Sequence, residues 1–280
     1  VKVQLEDGFD SVYKLFESYW ISRFDDEIPV LSLSYDFPRP MVQSFEGAHV
    51  LFLLSDKERE KIVNISQRAS ATLFMTLLSL FNILLAKLSG DDDIVIGVPV
   101  AGRRHADLEQ VIGMFVNTLA LRNFPRSDLS FSQFIAQVKE HTLNDFENQE
   151  YQFEELVEQL NVVRDNSRNP VFDVMFNMLN TGDKAADALY NTGVHVPGIS
   201  KFDLTFSAIE LENSILISVE YCTRLFKKER IDRFFSYFRM LIDAVEPDKM
   251  LSQFDIIPDD ERALLLNVFN PAAEPYPAKE

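Results

Sequence analysis

Residues Phe202–Tyr221 read FDLTFSAIELENSILISVEY. Apolar and polar residues alternate through Phe202–Glu210 and again through Ile215–Tyr221, the period of half-buried strands. The short link Leu211–Ser214 suits a hairpin, so an antiparallel pair is predicted. Directly afterwards, Phe226–Val245 changes to the spacing of a strongly amphipathic helix. A hairpin followed at once by such a helix sets the expectation for the whole chain: an α+β fold, a mixed β-sheet flanked by helices.

Working outward, the same two periods recur. His49–Leu54 (HVLFLL) reads as a short strand. Ser55 has Glu58 three residues on, the spacing of a capping box, and predicts a helix to about Arg68. Ala71–Leu88 (ATLFMTLLSLFNILLAKL) is apolar nearly all round. It is interrupted by Thr72, Thr76, Ser79, Asn82 and Lys87 and falls short of the roughly 20 apolar residues of a membrane span. A buried helix is the expectation. Ile94–Val100 (IVIGVPV) is rich in β-branched residues and predicts a strand, as do Met114–Leu121 and Val171–Leu179. Helices are expected at Val12–Arg23, Leu129–Phe146 and Phe153–Leu160. Pro38-Arg39-Pro40 forbids regular structure between the first helix and the first strand. Asp25-Asp26 and Asp91-Asp92-Asp93 read as solvated turns, and Asn270–Glu280 (NPAAEPYPAKE) has the composition of a linker.

Charge and residue chemistry exclude several classes of function. The 280 residues carry 44 acidic and 27 basic side chains, a net charge of −17. Such a surface repels phosphate backbones and anionic membranes, so neither nucleic acid nor membrane is expected as a partner. The single cysteine, Cys222, cannot form an internal disulfide; a structural thiol and a reducing, cytoplasmic setting are expected. The opening VKVQLEDGFD lacks the basic and apolar regions of a signal peptide. The histidines, His49, His105, His141 and His195, stand apart from one another and from Cys222, so no metal is predicted. There is no Walker motif, GxGxxG or GxSxG elbow. Residue chemistry alone shows no catalytic constellation.

Four segments carry more information together than singly. Gly97–Arg103 reads GVPVAGR, Ile112–Leu119 reads IGMFVNTL, Asn148–Glu154 reads NQEYQFE followed by ELVEQL, and Arg164–Phe172 reads RDNSRNPVF followed, from Asp173, by DVMF. Their order and spacing resemble the later core motifs of nonribosomal peptide synthetase condensation domains. The lead-in YWISRFDDEIPVLSLSYDFPRPMVQSFEGAHV, the SKFDLTF segment and the proline-rich tail are similar too, so the resemblance covers roughly residues 15–280. Asn148 stands where the family's motif usually opens with His, and Gln152 where Pro is common.

The resemblance implies a fold of two lobes, each like chloramphenicol acetyltransferase, with a tunnel between them. It implies that donor and acceptor arrive as thioesters on the phosphopantetheine arms of carrier proteins, that the acceptor amine attacks the donor thioester, and that an amide forms. The family's His-His-x-x-x-Asp-Gly motif belongs to the first lobe. No His-His pair occurs here, so the resemblance points to the second, C-terminal lobe over residues 1–269, with a start blurred within 1–18. It points to a linker over 270–280 toward an adenylation domain, no catalytic residue and no cofactor bound by the lobe. Expected partners are the N-terminal lobe, peptidyl or aminoacyl carrier proteins and the adenylation domain. A strand near SKFDLTF is expected to cross to the other lobe, which would leave an unpaired edge and self-association around Gly198–Glu212 in the chain alone. Two other readings stay open: a stand-alone carrier-docking module, and a complete acyltransferase with other catalytic groups.

For each motif the residues leave alternatives. Gly113 permits a close backbone approach. Phe115 and Val116 are expected on opposite faces of a strand, as are Asn117 and Thr118. Asn117 is either a tunnel-lining hydrogen bonder or a structural amide. Arg164, Asp165 and Arg168 form a local clamp or contact substrate. Gln149, Phe153 and Glu154 begin a helix in core or capping roles. Gly97 and Gly102 flank a strand end, and Arg103 faces the lobe cleft or a carrier arm, or neither.

Overall fold

The computed structural model describes residues 2–103, 107, 111–113, 115–163, 165–179 and 198–269, with side chains from residue 11 onward. Arg164, His105, His195 and the tail from residue 270 lie outside the described residues.

Six strands form one mixed sheet: β1 (Gly47–Leu54), β2 (Ile94–Val100), β3 (Asn117–Asn123), β4 (Val174–Leu179), β5 (Leu204–Glu210) and β6 (Ile215–Cys222). Their spatial order is β1-β6-β5-β4-β2-β3. The predicted hairpin is β5–β6, with Leu204 opposite Tyr221 and Glu210 opposite Ile215. β4 runs parallel to β5 and to β2, while β1–β6 and β2–β3 are antiparallel.

The helices are α1 (Lys2–Arg23), α2 (Asp56–Arg68), α3 (Leu73–Ser89), α4 (Phe131–Glu147), α5 (Phe153–Gln159), α6 (Lys228–Ala244) and α7 (Asp259–Asn267). Ser55 opens α2 as expected: the Glu58 carboxylate accepts its backbone N–H at 2.7 Å. Thr72 caps α3 by accepting from Met75 N, and Gly90 closes it in the left-handed conformation at φ 84°. The core of α3 is buried, and no single helix among the described residues is long and apolar enough to cross a membrane.

One face of the sheet is the core. Phe81 of α3 stacks on Phe206 of β5 at 4.7 Å, Phe238 of α6 meets the same ring edge-on at 5.1 Å, and Phe235 of α6 stacks on Phe52 of β1 at 4.0 Å. Aromatic pairs of this kind add to the area they bury. By strand alternation, the residues between these project to the opposite face, where Met175, Thr205, Ser207, Ser218 and Glu220 are half-buried. On the helix side, a buried polar contact between Ser66 and Thr76 at 2.7 Å joins α2 to α3.

Several expectations need correction. The strand predicted at Met114–Leu121 is displaced to Asn117–Asn123, so Phe115 and Val116 belong to a loop and not to opposite strand faces. Val171 has φ 69° and breaks the extended run, so β4 starts only at Val174. Gln149 lies in a turn, and α5 begins at Phe153. Asp93 is no free turn residue, since it ion-pairs with Arg122 at 2.6 Å. The unpaired edge expected at the SKFDLTF segment is not found. β5 is interior, paired with β4 on one side and β6 on the other. Ser200 N and Gly47 N bond across to Phe45 O and Gly198 O at 2.9 Å each. The SKFDLTF segment has no open edge, so the reason for self-association there disappears.

Asp145 gives the first quantitative expectation. It is buried on α4, accepts from Tyr19 Oη at 2.6 Å and lies 3.7 Å from Arg23 Nε. Trp20 Nε1 donates to Asn148 O at 2.8 Å beside it, so the pair anchors the end of α1. Burial pushes its pKa up to about 6, against the opposing pull of Arg23 and Tyr19. In the unfolded chain the ordinary value is about 3.9. The folded state therefore holds the extra proton between these values, and stability falls as pH rises through about 4 to 6. Asp145→Asn should remove that slope: relative to wild type it gains on the order of 2 kcal/mol between pH 4 and pH 7. Urea unfolding at the two pH values checks this.

Candidate functional site

The uncovered face of the sheet is where polar side chains collect. Gly97 pairs with Met175, Met175 with Thr205, Thr205 with Glu220 and Glu220 with His49, so one row crosses the sheet on that face. The next row brings Asn177, Ser207, Ser218 and Leu51 side by side. A small apolar cluster of Ile209 and Leu216, packed by Leu51, Leu179 and Leu211, closes one end and is separate from the main core. Gly97 is buried and the other row residues are half-buried. Burial raises the Glu220 carboxyl above its ordinary range, opposed by hydrogen bonds from Ser200 and Lys201 and by the charge of His49. Sequence periodicity could find these strands; it could not find their neighbours, because β4–β5–β6 pairing sets the rows.

Gly97 shows why its residue type is required. A Cβ there would overlap the ring of Phe172, which covers this part of the open face. Beyond Phe172 lies a cleft of about 970 Å³, lined by Leu31, Val95, Val162, Asp165, Arg168 and Asp173 among others. Its charged wall is a clamp larger than the one expected. Arg168 sits 3.7 Å from Asp165 and 3.2 Å from Asp173. The Asp173 backbone carbonyl is tied in as well, because it accepts from Asp203 N–H at 2.9 Å. Arg39 then grips Asp203 with both terminal nitrogens and donates to Ser167 O at 3.0 Å. Tyr35 Oη donates to Asp203 at 3.0 Å. Burial, then the neighbouring Asp203, pushes Asp173 up to about 6, against Arg168 and Arg39. Tyr35, Arg39 and Asp203 were not singled out by sequence. They stand in the YDFPRP and SKFD stretches, far from Asp173 along the chain.

Four other candidates meet in one place. Arg103 donates to Val111 O at 2.9 Å and Gly113 O at 3.2 Å, and its guanidinium lies 4.3 Å from the centre of the Phe115 ring. Gly102 has φ 62°, and a Cβ there would overlap the Phe115 carbonyl. The GVPVAGR and IGMFVNTL motifs thus knit to each other.

Asn117 faces the other way. It shares the side of β3 that carries Leu119 and Leu121 and packs on α4. Its Nδ2 donates to Gln149 O at 2.9 Å and Tyr151 O at 2.8 Å; its Oδ1 accepts from Thr118 N at 2.8 Å and Phe153 N at 3.2 Å. The amide is saturated within the chain. It ties IGMFVNTL to NQEYQFE and has no capacity left for a tunnel ligand. Thr118 is the strand residue on the open face there, opposite Pro99.

Neither described histidine joins the cleft. His141 is half-buried, 3.3 Å from Asn123 Oδ1, with its pKa lowered by burial and by Arg23. His49 lies on edge strand β1, opposite Glu220. Among the described residues no group of three or more His, Cys, Asp or Glu is placed to hold a metal.

The same arrangement of strands and motifs occurs in known proteins. The condensation-domain family model matches residues 11–266. The chain is 43% identical over 271 residues to tyrocidine synthase 3 of Brevibacillus parabrevis, covering 95% of this chain and 4% of that protein. It is 38% identical over 275 residues to gramicidin S synthase 2 of Brevibacillus brevis, covering 96% and 6%. With surfactin synthase subunit 1 of Bacillus subtilis (strain 168) the identity is 41% over 271 residues, covering 95% and 8%. The chain thus spans less than a tenth of the length of these relatives. Among solved structures it is similar to a four-domain nonribosomal peptide synthetase bound to AMP and glycine, with TM-score 0.81 and 25% identity, covering 89% of this chain and 20% of that one. The X-domain from teicoplanin biosynthesis has the same fold at TM-score 0.76 and 21% identity, covering 90% and 60%. With a family model matched over nearly its whole length and curated relatives this similar, the chain belongs to the condensation-domain family of nonribosomal peptide synthetases.

Proposed function

We propose that this chain is the C-terminal lobe of a condensation domain, in which an amine on one carrier protein attacks a thioester on another. Residues 1–269 form the lobe, and 270–280 begin the connection to an adenylation domain. The observation that carries this reading is the open, half-polar face of a single six-stranded sheet, in a chain without any His-His pair. A face of that kind suits one wall of a passage whose other wall comes from a second lobe. The fit to 90% of this chain but 60% of the X-domain agrees with it.

In this reading the lobe orients the acceptor and its phosphopantetheine arm. The general base or positioning histidine comes from the His-His-x-x-x-Asp-Gly lobe. The Arg39–Asp203 and Arg168–Asp173 clamp fixes the starts of β4 and β5, and so the height of Thr205, Ser207 and Asn177 in the passage wall. The reaction breaks the donor C–S bond and forms the C–N bond; the amine proton passes to the departing thiolate, and no other reactant is needed.

The test is a condensation assay with both aminoacyl carriers, read by mass spectrometry of the released product. The chain alone should form no amide, and the chain joined to a His-His-x-x-x-Asp-Gly lobe should form it. Amide made by the chain alone would refute the proposal.

A further inference from the structure

The cleft beyond Phe172 holds a buried carboxylate oxygen that the chain itself leaves unused. Asp173 is 5% exposed and forms part of the cleft wall. Its Oδ2 lies 3.2 Å from Arg168 Nη1, but its Oδ1 has no hydrogen-bond partner, and neither has Arg168 Nη1. The pair is a charge contact without hydrogen-bond alignment. Burial, then Asp203, pushes the carboxyl up to about 6, against Arg168 and Arg39, so it is ionised at pH 7.5. An ionised oxygen kept from water without a donor is costly, and such an atom in a folded chain calls for an explanation. The backbone beside it is strained as well. Val171, a β-branched residue, has φ 69°, and Phe172 N donates to Pro170 O at 2.8 Å. A positive-φ turn closed over three residues is rare and costs free energy, and strain of this kind collects at binding sites.

The rest of the lining decides which donor fits. Leu31, Val95 and Val162 make the wall apolar. Of the charged lining residues, Asp93 is spent, since both its oxygens accept from Arg122. Three carboxylates remain, Glu158, Asp165 and Asp173, against the one guanidinium of Arg168, an excess of two negative charges. An anion would add to that excess and a neutral ligand would leave it; a cation offsets it. Among the described residues no group of three or more His, Cys, Asp or Glu converges to hold a metal, so the cation is organic. A guanidinium needs a fork of two acceptors, whereas an ammonium is a compact charge with rotatable donors and needs one free oxygen, which is what Asp173 offers. We propose that this cleft binds a small hydrophobic molecule through its primary ammonium group, with Asp173 Oδ1 accepting from the ammonium and the apolar wall covering the body. The site is built from this chain alone, so it stands or falls apart from the second-lobe reading.

The experiment is an amide NMR titration of the chain at pH 7.5 with phenethylammonium chloride, 2-phenylethanol and sodium phenylacetate. These share an aromatic body and differ in the charge of the head. The amine should shift the amides of Leu31, Val95, Val162 and Asp173. The alcohol should bind about tenfold more weakly or less, the difference between a charge-assisted and a neutral hydrogen bond, and the acid should not bind. Asp173→Asn should bring the amine down to the level of the alcohol. Because that substitution also loosens the clamp to Arg168, a second variant leaves the clamp alone. Val163 is 90% exposed on the cleft lining, so Val163→Lys keeps the fold and sets a like charge at the mouth. It should weaken the amine about threefold and leave the alcohol unchanged. Equal binding of amine and alcohol would overturn the proposal. So would amine binding that neither variant alters, or the absence of any shift at the cleft with the amine.

Discussion

Asp203→Ala is expected to cost about 3–5 kcal/mol of folding stability, the cost of leaving a buried charge without its partner. Arg39 and Asp203 are both largely removed from water, with side-chain exposures of 14% and 4%. In the native chain the two terminal nitrogens of the guanidinium donate to Asp203, Tyr35 Oη and Ser167 O. The substitution strands both Arg39 and Tyr35 in a site that water does not reach freely. A small domain has only about 5–15 kcal/mol to lose, so the variant should unfold at a far lower urea concentration. The double variant Arg39→Met, Asp203→Leu should recover much of the loss, because replacing both charges removes the desolvation penalty together with the attraction. A double variant no more stable than Asp203→Ala would mean that Arg39 is held by its other partners and not by the ion pair. Surface pairs such as Arg126–Asp128, exposed on both sides, should move stability by less than about 1 kcal/mol when broken.

The contrast between that clamp and its sequence signature shows where reading along a chain stops. The strands and helices with clean periods were legible: the β5–β6 hairpin, the α2 capping box and the buried α3 all follow from local pattern. Local pattern also placed Arg168 and Asp165 together, since they lie three residues apart. It could not place Arg39, which is 164 residues from Asp203. Nor could it show that β5 is interior, because alternation is the same in an edge strand and a central one when the second face is half-polar. The start of β3, three residues later than expected, has a similar cause. FVNT is as β-prone as the residues after it, but Arg103 and Gly102 hold Phe115 in the loop. The family motifs gave the identity of the chain, whereas the role of each motif residue needed its partners.

Asn117 is the clearest instance and carries the other large effect. Asn117→Ala should cost about 3–5 kcal/mol, because it unpairs two carbonyls and two N–H groups around a buried site at roughly 1–3 kcal/mol each, with partial relaxation. Asn117→Asp should be worse than alanine at neutral pH. The two Nδ2–H bonds to Gln149 O and Tyr151 O become contacts between a carboxylate oxygen and two carbonyl oxygens, in a place with 4% exposure. Lowering the pH should narrow the gap between the two variants, since a protonated carboxyl can donate once to Gln149 or Tyr151. An amide that served only to hold a ligand in a water-filled passage would show the opposite pattern: both variants stable to within about 0.5 kcal/mol of wild type, with the aspartate variant losing only activity. Urea unfolding of the three chains at pH 5 and pH 7.5 separates the two. The expected ranking, wild type above alanine above aspartate at pH 7.5, would show that the IGMFVNTL asparagine is the bolt between β3 and the α4–α5 turn. In the proposed C-terminal-lobe reading, the polar work of the passage then falls to Thr118, Asn177, Thr205 and Ser207.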